Sequence, residues 1–255
     1  LILAAIVAVL LAATAVSMDF WNVRVEDVLV GQESSSYRVN GEIPVIPLES
    51  FSDEVASAME DVSQKMEEQD LYLNSSPGYW LRTFDRWADC EEFIGFPLNN
   101  PLEKSSLLET ANYFAIAQDA ETLNEESQRH CAVALQGNIK GELQHVTIDT
   151  GYLMGPIRIQ MTVSLYPEGS GMEPGTGGSW NGEAEFEITS GVTGEGIPYT
   201  LVVSETPESD YYNDFSSADA YFVLKNGLYT LDAVSPGRDS GADAKAALEE
   251  LLALF

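Results

Sequence analysis

Ile157-Arg158-Ile159-Gln160-Met161-Thr162-Val163-Ser164-Leu165 alternates apolar and polar side chains without a break. Successive side chains of an extended chain point to opposite faces, so this alternation produces one dry face and one polar face. The stretch is a β-strand, and segments of similar character surround it. Upstream, 131–135 and 143–148 read as strands, and downstream so do 182–188 and 199–203. Residues 220–225 and 228–233 flank Asn226-Gly227, whose residues suit the positive φ angles of a type I′ turn, and a hairpin is predicted there. Between these strands, 167–179 is rich in glycine and without apolar periodicity, which predicts a loop or flap.

Helical periodicity brackets this region. Ser52 is a suitable N-cap, Asp53 and Glu54 suit the positive end of a helix dipole, and Val55, Met59, Val62 and Met66 form one apolar stripe. A second helix is predicted over 85–94, ended by Gly95, and a third over 242–255 with Ala244, Leu248, Leu251 and Phe255 on one side. Short alternating runs at 22–30 and 36–39 suggest two strands, whereas Pro44 and Pro47 make Val45 and Ile46 an extended connection. The aromatics Trp80, Phe84, Trp87, Phe93 and Phe96 predict a satellite core, with a groove for a peptide, sugar or lipid as the alternative. The expected class is α+β: a curved antiparallel sheet with helices on one face, preceded by an N-terminal transmembrane or signal helix.

That first helix is LILAAIVAVLLAATAV, residues 1–16. It is apolar all round and lacks the stripe of a helix lying on a protein core. Its length falls between a signal peptide's apolar region and a full span, so a membrane anchor and a cleaved leader are both open. Ala13-Thr14-Ala15 fits a cleavage site, while Phe20 and Trp21 fit the interfacial belt of an anchor. The sequence opens at Leu1 rather than Met, and we expect a basic flank upstream. Arg24 is the one basic residue between Ser17 and Ser36, a scarcity expected of an outward-facing flank. Residues 1–17 are thus expected to contact the membrane, and 18–255 to fold as one extracytoplasmic domain, secreted if the leader is cleaved. Export would bring Cys90 and Cys131 into an oxidising environment as a candidate disulfide, with two free buried thiols as the alternative.

Forty-one acidic against 12 basic residues give a net charge of -29, and the basic residues are scattered. Nucleic acid is a poor partner for such a surface, since phosphates are bound by clustered Lys and Arg. The acidity reads first as a solubility device, and no loop has the spaced carboxylates of a calcium site; 209–214 comes nearest. His130 and His145 lack zinc-ligand spacing, and no nucleophile elbow, phosphate loop or dinucleotide fingerprint is present. On a strand, His130 and Cys131 would point to opposite faces and make a poor base–nucleophile pair; Cys90 with His145 is the remaining combination for a hydrolase. No cofactor, metal or catalytic residue is expected.

Thr83-Phe84-Asp85-Arg86-Trp87-Ala88-Asp89-Cys90-Glu91-Glu92-Phe93-Ile94-Gly95-Phe96-Pro97-Leu98, then Asn100-Pro101-Leu102-Glu103, and the ending from Ala220 to Phe255 resemble the outer domains of uncharacterised single-pass membrane proteins of Gram-positive gut bacteria. Some proteins of that kind carry an anti-sigma-factor-like cytoplasmic segment. The resemblance implies a sensor or interaction role at the cell membrane and brings no catalytic residues with it. The expectation is a membrane-tethered, non-enzymatic domain for an unknown envelope ligand or protein. An apolar-ligand carrier lined by Ile157, Ile159, Met161 and Val163 is the second reading, and a hydrolase the third.

Overall fold

The computed structural model describes residues 21–27, 34–41, 43–68, 78–113, 128–138, 141–170, 176–181, 185–205, 215–237 and 240–255. The run at 1–16 and the acidic segment 209–214 lie outside them. Among the described residues no helix is long and apolar enough to cross a membrane.

The alternating stretch becomes β8 (Ile157–Pro167), central to a ten-stranded sheet. It pairs antiparallel with β7 (Leu143–Met154) and with β13 (Gly227–Pro236). From β7 the sheet continues through β6 (Cys131–Gly137) to the edge strand β4 (Gly78–Phe84). From β13 it continues through β12 (Phe215–Leu224) and β11 (Pro198–Glu205) to the edge strand β10 (Glu185–Val192). Two short strands join off this path, β3 (Val45–Ile46), parallel to the end of β8, and β5 (Glu109–Ala111) against β7. A separate three-stranded sheet has the order β1 (Trp21–Asp27), β2 (Ser34–Gly41), β9 (Thr176–Asn181). The chain is therefore α+β, mostly antiparallel sheet with three helices among the described residues.

Register explains the core. Leu201, Ala220, Leu231, Met161, Thr150, Cys131 and Phe84 lie opposite one another across seven strands. A second row runs through Phe222, Tyr229, Val163, Ile148 and Val133. The buried residues of α1 (Asp53–Glu68), α2 (Trp87–Ile94) and α3 (Gly241–Leu252) belong to the same cluster as these rows. Helices α1 and α2 pack near β4 and β6, and α3 near β11, β12 and β13. Apolar area removed from water in this layer, at about 25 cal/mol per Å², is the main force holding helices to sheet.

Local signals place the helix ends. The Ser52 hydroxyl accepts from the Val55 amide at 3.2 Å, as an N-cap does. Gly95 ends α2 with φ of +100°, a left-handed value that a side chain would resist. The helix itself starts at Trp87 rather than at 85, because 78–84 is drawn into an edge strand.

Three further expectations are corrected. The hairpin turns on Lys225-Asn226, with Leu224 facing Gly227, and the positive φ of +55° falls on Lys225, as at the first central position of a type II′ turn. Gly227 is instead a packing requirement, since a Cβ there would lie 2.8 Å from a methyl of Val163. Residues 176–179, read as loop, belong to β9, whose backbone pairs with β2. The aromatics form no separate core: Phe93 stacks on Trp80 at 5.1 Å and lies 5.7 Å from Phe84, within the main cluster.

Candidate functional site

Cys90 lies on the buried stripe of α2 with Trp87, Phe93 and Ile94, and Cys131 opens β6. Both side chains are 0% exposed, both thiols are free, and both belong to the one core cluster that joins α2 to the sheet. Cys131 faces Thr150 across the β6–β7 ladder, and its thiol donates to the Thr150 hydroxyl at 3.5 Å. Thr150 Oγ1 lies 3.0 Å from His130 Nε2, and His130 Nδ1 lies 2.9 Å from the Ala111 carbonyl. A carbonyl only accepts, so Nδ1 carries a hydrogen and a neutral His130 has its acceptor at Nε2. One direction then satisfies the chain: Cys131 donates to Thr150, Thr150 to His130, and His130 to Ala111.

Glu103 completes the surroundings. Its Oε1 accepts from the Trp87 amide at 3.2 Å, at the first turn of α2, and lies 4.0 Å from His130 Nε2. A carboxylate is favourable at this positive end of the helix dipole. The segment carrying it is tied down by two tyrosines of the sheet. Asn100 donates to the Tyr152 hydroxyl at 2.9 Å, and the Tyr229 hydroxyl accepts from the Asn99 amide at 3.0 Å.

Electrostatics separates the two cysteines. The hydrogen bond to Cys131 and then burial push the Cys90 thiol far up, so it stays protonated. The hydrogen bond from Cys90, opposed by burial and helped by His130 and Thr150, pulls Cys131 down. Burial pulls His130 down, but its hydrogen bond to Cys131, that thiolate's charge, the Ala111 carbonyl and Glu103 outweigh it and the net direction is up. The cluster is thus a thiol–hydroxyl–imidazole relay able to shift a proton from Cys131 towards His130. It is also sealed: Thr150 is fully buried and His130 only 8% exposed, so a substrate atom has no path to the sulfurs in this conformation.

Opposite orientations were expected for His130 and Cys131, and the structure connects them instead. His130 sits in a bend before β6 begins, where strand alternation does not operate, and Thr150 from the neighbouring strand spans the gap. The expected alternative, His145 with a cysteine, is not assembled. His145 faces Gln136, five residues along β7 from Thr150 or about 16 Å at strand rise, and stacks on Tyr166 at 4.8 Å. Ile159, Met161 and Val163 are filled core, and Ile157 packs against it, leaving no ligand lining at those positions. Among the described residues no group of His, Cys, Asp and Glu is arranged to hold a metal ion.

His145 carries its own prediction. Its Nε2 finds no hydrogen-bond partner, and burial pulls its pKa down to about 4. The unfolded chain therefore takes up this proton first, and stability falls as pH drops from about 6.5 towards 4. Relative to His145→Phe, which keeps a ring beside Tyr166, the native chain should lose about 2 kcal/mol between pH 7 and pH 5. Urea midpoints measured across that range check this; parallel curves for the two proteins would refute it.

On the other face of the sheet Asp219 stands opposite Asp232, and Asp232 opposite Gln160. Burial, then the charge of and hydrogen bond with Asp219, push the Asp232 carboxyl well above the usual range. A proton held on Asp232 removes the repulsion two facing carboxylates would carry. Asp149 nearby accepts from Thr162 Oγ1 at 2.5 Å and Gln160 Nε2 at 3.2 Å.

The surface offers different features. Tyr79 and Leu81 on edge strand β4 are 66% and 44% exposed, and Ile188 and Val192 project from edge strand β10. Beside β4, Glu54, Arg82, Asp85, Asp89, Glu92 and Arg129 line an open groove. Its cations are engaged, Arg129 with Asp85 and Arg82 with Glu54 at 3.7 Å. Compared with known proteins, the chain matches no family model, no curated protein and no solved structure.

Proposed function

We propose that the chain is the extracytoplasmic part of a membrane-tethered protein, held by residues 1–16, and that it works by binding an envelope ligand or protein rather than by catalysis. The observation that carries this reading is the contrast between a closed interior and an equipped surface. The nucleophile–base cluster is shut away from solvent, whereas exposed apolar side chains stand on β4 and β10, which end the sheet among the described residues. An open edge offers backbone N–H and C=O groups to an added strand, and alternate side chains give such contacts their specificity. The apolar leader, and a flank with one basic residue, support the tether and the outward orientation. The curved sheet backed by helices on one face serves as a rigid frame for the edge strands. Inward signalling through an anti-sigma-like cytoplasmic segment is the setting that the resemblance of 83–98 and 220–255 implies.

The filled core at Ile159, Met161 and Val163 speaks against an apolar-ligand carrier, and the separation of His145 from both cysteines against the hydrolase. The test is topology. Produced with its leader in a Gram-positive host, the chain should stay in carbonate-washed membranes and be digested by protease added to intact cells. Release into the medium would remove the tether and leave export standing; protection inside intact cells would overturn the reading.

A further inference from the structure

We infer that the groove between α1 and the β6–β7 turn docks a basic amphipathic segment of a partner protein. Its floor is the side of α1 that the core leaves free. Val55, Met59 and Val62 are buried in the cluster beneath, while Ala56, Glu60 and Ser63, about one helical turn apart, line the groove. Both walls are held in place. On one side, after the 3₁₀ turn Leu48–Ser50, Phe51 meets Phe96 edge-on at 5.5 Å and the Ser52 amide donates to the Ile94 carbonyl at 3.0 Å. On the other, the Asn138 amide donates to the Glu142 carbonyl at 2.9 Å, and the Glu142 amide to Asn138 Oδ1 at 3.0 Å. Gly141 in that turn, at φ of +75°, lies so close to α1 that a Cβ would come within 2.7 Å of Ser63 Cβ. A groove of about 730 Å³ therefore stands open before any partner arrives, which spares binding the cost of forming it.

Its lining combines two chemistries. Leu48, 52% exposed, together with Phe51, Ala56 and Leu143 supplies apolar surface, and Glu49, Asp53 and Glu60 supply exposed carboxylates. No Lys, Arg or His lines the groove, and among the described residues no cation pairs with these three acids. The groove beside β4 differs, since its acids already hold Arg82 and Arg129. Charge selects the occupant. A fatty acid or an anionic headgroup would bring negative charge to a negative site, and a second copy would bring the same acids and a net charge of -29. A segment with apolar side chains one helical turn apart, and Lys or Arg beside them, satisfies both halves of the surface. Helix-in-groove recognition works this way, with apolar contacts giving affinity and carboxylates giving orientation and on-rate. The inference rests on the reading that the chain works by binding, and it adds a contact apart from the edge strands.

The test is photo-cross-linking of the full chain, held in phosphatidylcholine discs, or in buffer if it does not insert. The probe is a short helical peptide with Leu on one face and Lys on the other, one Leu replaced by benzoylphenylalanine. Cross-links should concentrate on 48–63 and 141–143 and weaken as salt is raised. Ala56→Arg, which sets bulk and a like charge on the exposed floor, should cut labelling about tenfold. Ser57→Arg makes the same change of charge at an exposed position outside the lining and should leave labelling within about twofold. Glu49→Gln with Glu60→Gln should lower labelling and flatten its dependence on salt. A peptide with Ser in place of Leu, or Glu in place of Lys, should label weakly, and this comparison needs no variant to fold. Labels spread over other acidic surfaces, no labelling of the chain, or equal labelling by the Ser peptide would overturn the inference. So would a dimer of the chain that the peptide fails to disperse, or loss of the label to phosphatidylglycerol in the disc. Neither result bears on the topology test, so the docking site and the location fail separately.

Discussion

Phe255→Ala is expected to lower stability by about 3–5 kcal/mol, the range for emptying a buried aromatic site. Phe255 is fully buried although it lies beyond the last turn of α3. Its ring meets Phe222 edge-on at 4.9 Å and Tyr229 at 6.0 Å, and those two stack on each other at 5.3 Å across the β12–β13 pair. Alanine leaves a hole bounded by two strands whose register holds them in place, so collapse cannot fill it. Aromatic pairing adds to the loss from transfer alone. Urea midpoints at unchanged slope read the effect. Leu254→Ala, at a position 38% exposed, is the control and should move the midpoint little. Equal shifts for the two variants would mean that Phe255 does not anchor α3.

Gly194→Ala should cost about 3 kcal/mol through backbone rather than side-chain packing. Gly194 lies in the turn between β10 and β11, and its amide donates to the Leu252 carbonyl at 3.2 Å. The next amide, of Glu195, donates to the Phe255 carbonyl at 2.7 Å. These bonds satisfy carbonyls that the end of a helix leaves without partners. A Cβ on Gly194 would overlap the Ala253 carbonyl oxygen and lie 3.0 Å from its carbon. Neither is the tip of a flexible side chain, so the turn must lift and surrender both bonds. Faster hydrogen exchange at the amides of 194 and 195 should accompany the loss. Because the turn holds the backbone of Phe255, Gly194→Ala and Phe255→Ala should together cost less than their sum. Strict additivity, with exchange unchanged, would dissociate the turn from the helix end.

Much of the sheet was legible because its central strands bury one face. The alternation at 157–165 fixed both the strand and its inward set, Ile159, Met161 and Val163. The stripes Val55-Met59-Val62 and Ala244-Leu248-Leu251 fixed two helix faces in the same way. Edge strand β4 was not legible, since its exposed face carries Tyr79 and Leu81 and its sequence shows no dry side. The hairpin was legible in existence and wrong in register. A turn centred on Asn226-Gly227 sets Asp219 opposite Val234, whereas the turn on Lys225-Asn226 sets it opposite Asp232. One residue of slip at the turn thus concealed the facing acid pair.

The Cys/His cluster was legible only as residue types. Its members come from α2, the Glu103 segment, β5, the bend at His130, β6 and β7, and cross-strand pairing rather than spacing assembles them. Thr150 carries the link and has no sequence mark of its own; inside an otherwise apolar row it reads as one more polar alternation. The distribution of charge was legible in sign, because scattered cations form no basic face. The groove where two of them meet, at Arg82 and Arg129, is laced with carboxylates.

Central to the account is the claim that the cluster around Cys131 is a sealed joint of the fold and not an active centre. The direct measurement is the rate at which iodoacetamide alkylates the fully reduced, folded chain at neutral pH, followed by mass spectrometry of the peptides holding Cys90 and Cys131. The account predicts that neither cysteine reacts until denaturant opens the domain, with labelling then tracking unfolding. Rapid alkylation of Cys131 in the folded chain, with a pH dependence set by His130, would reveal an accessible activated nucleophile and contradict it.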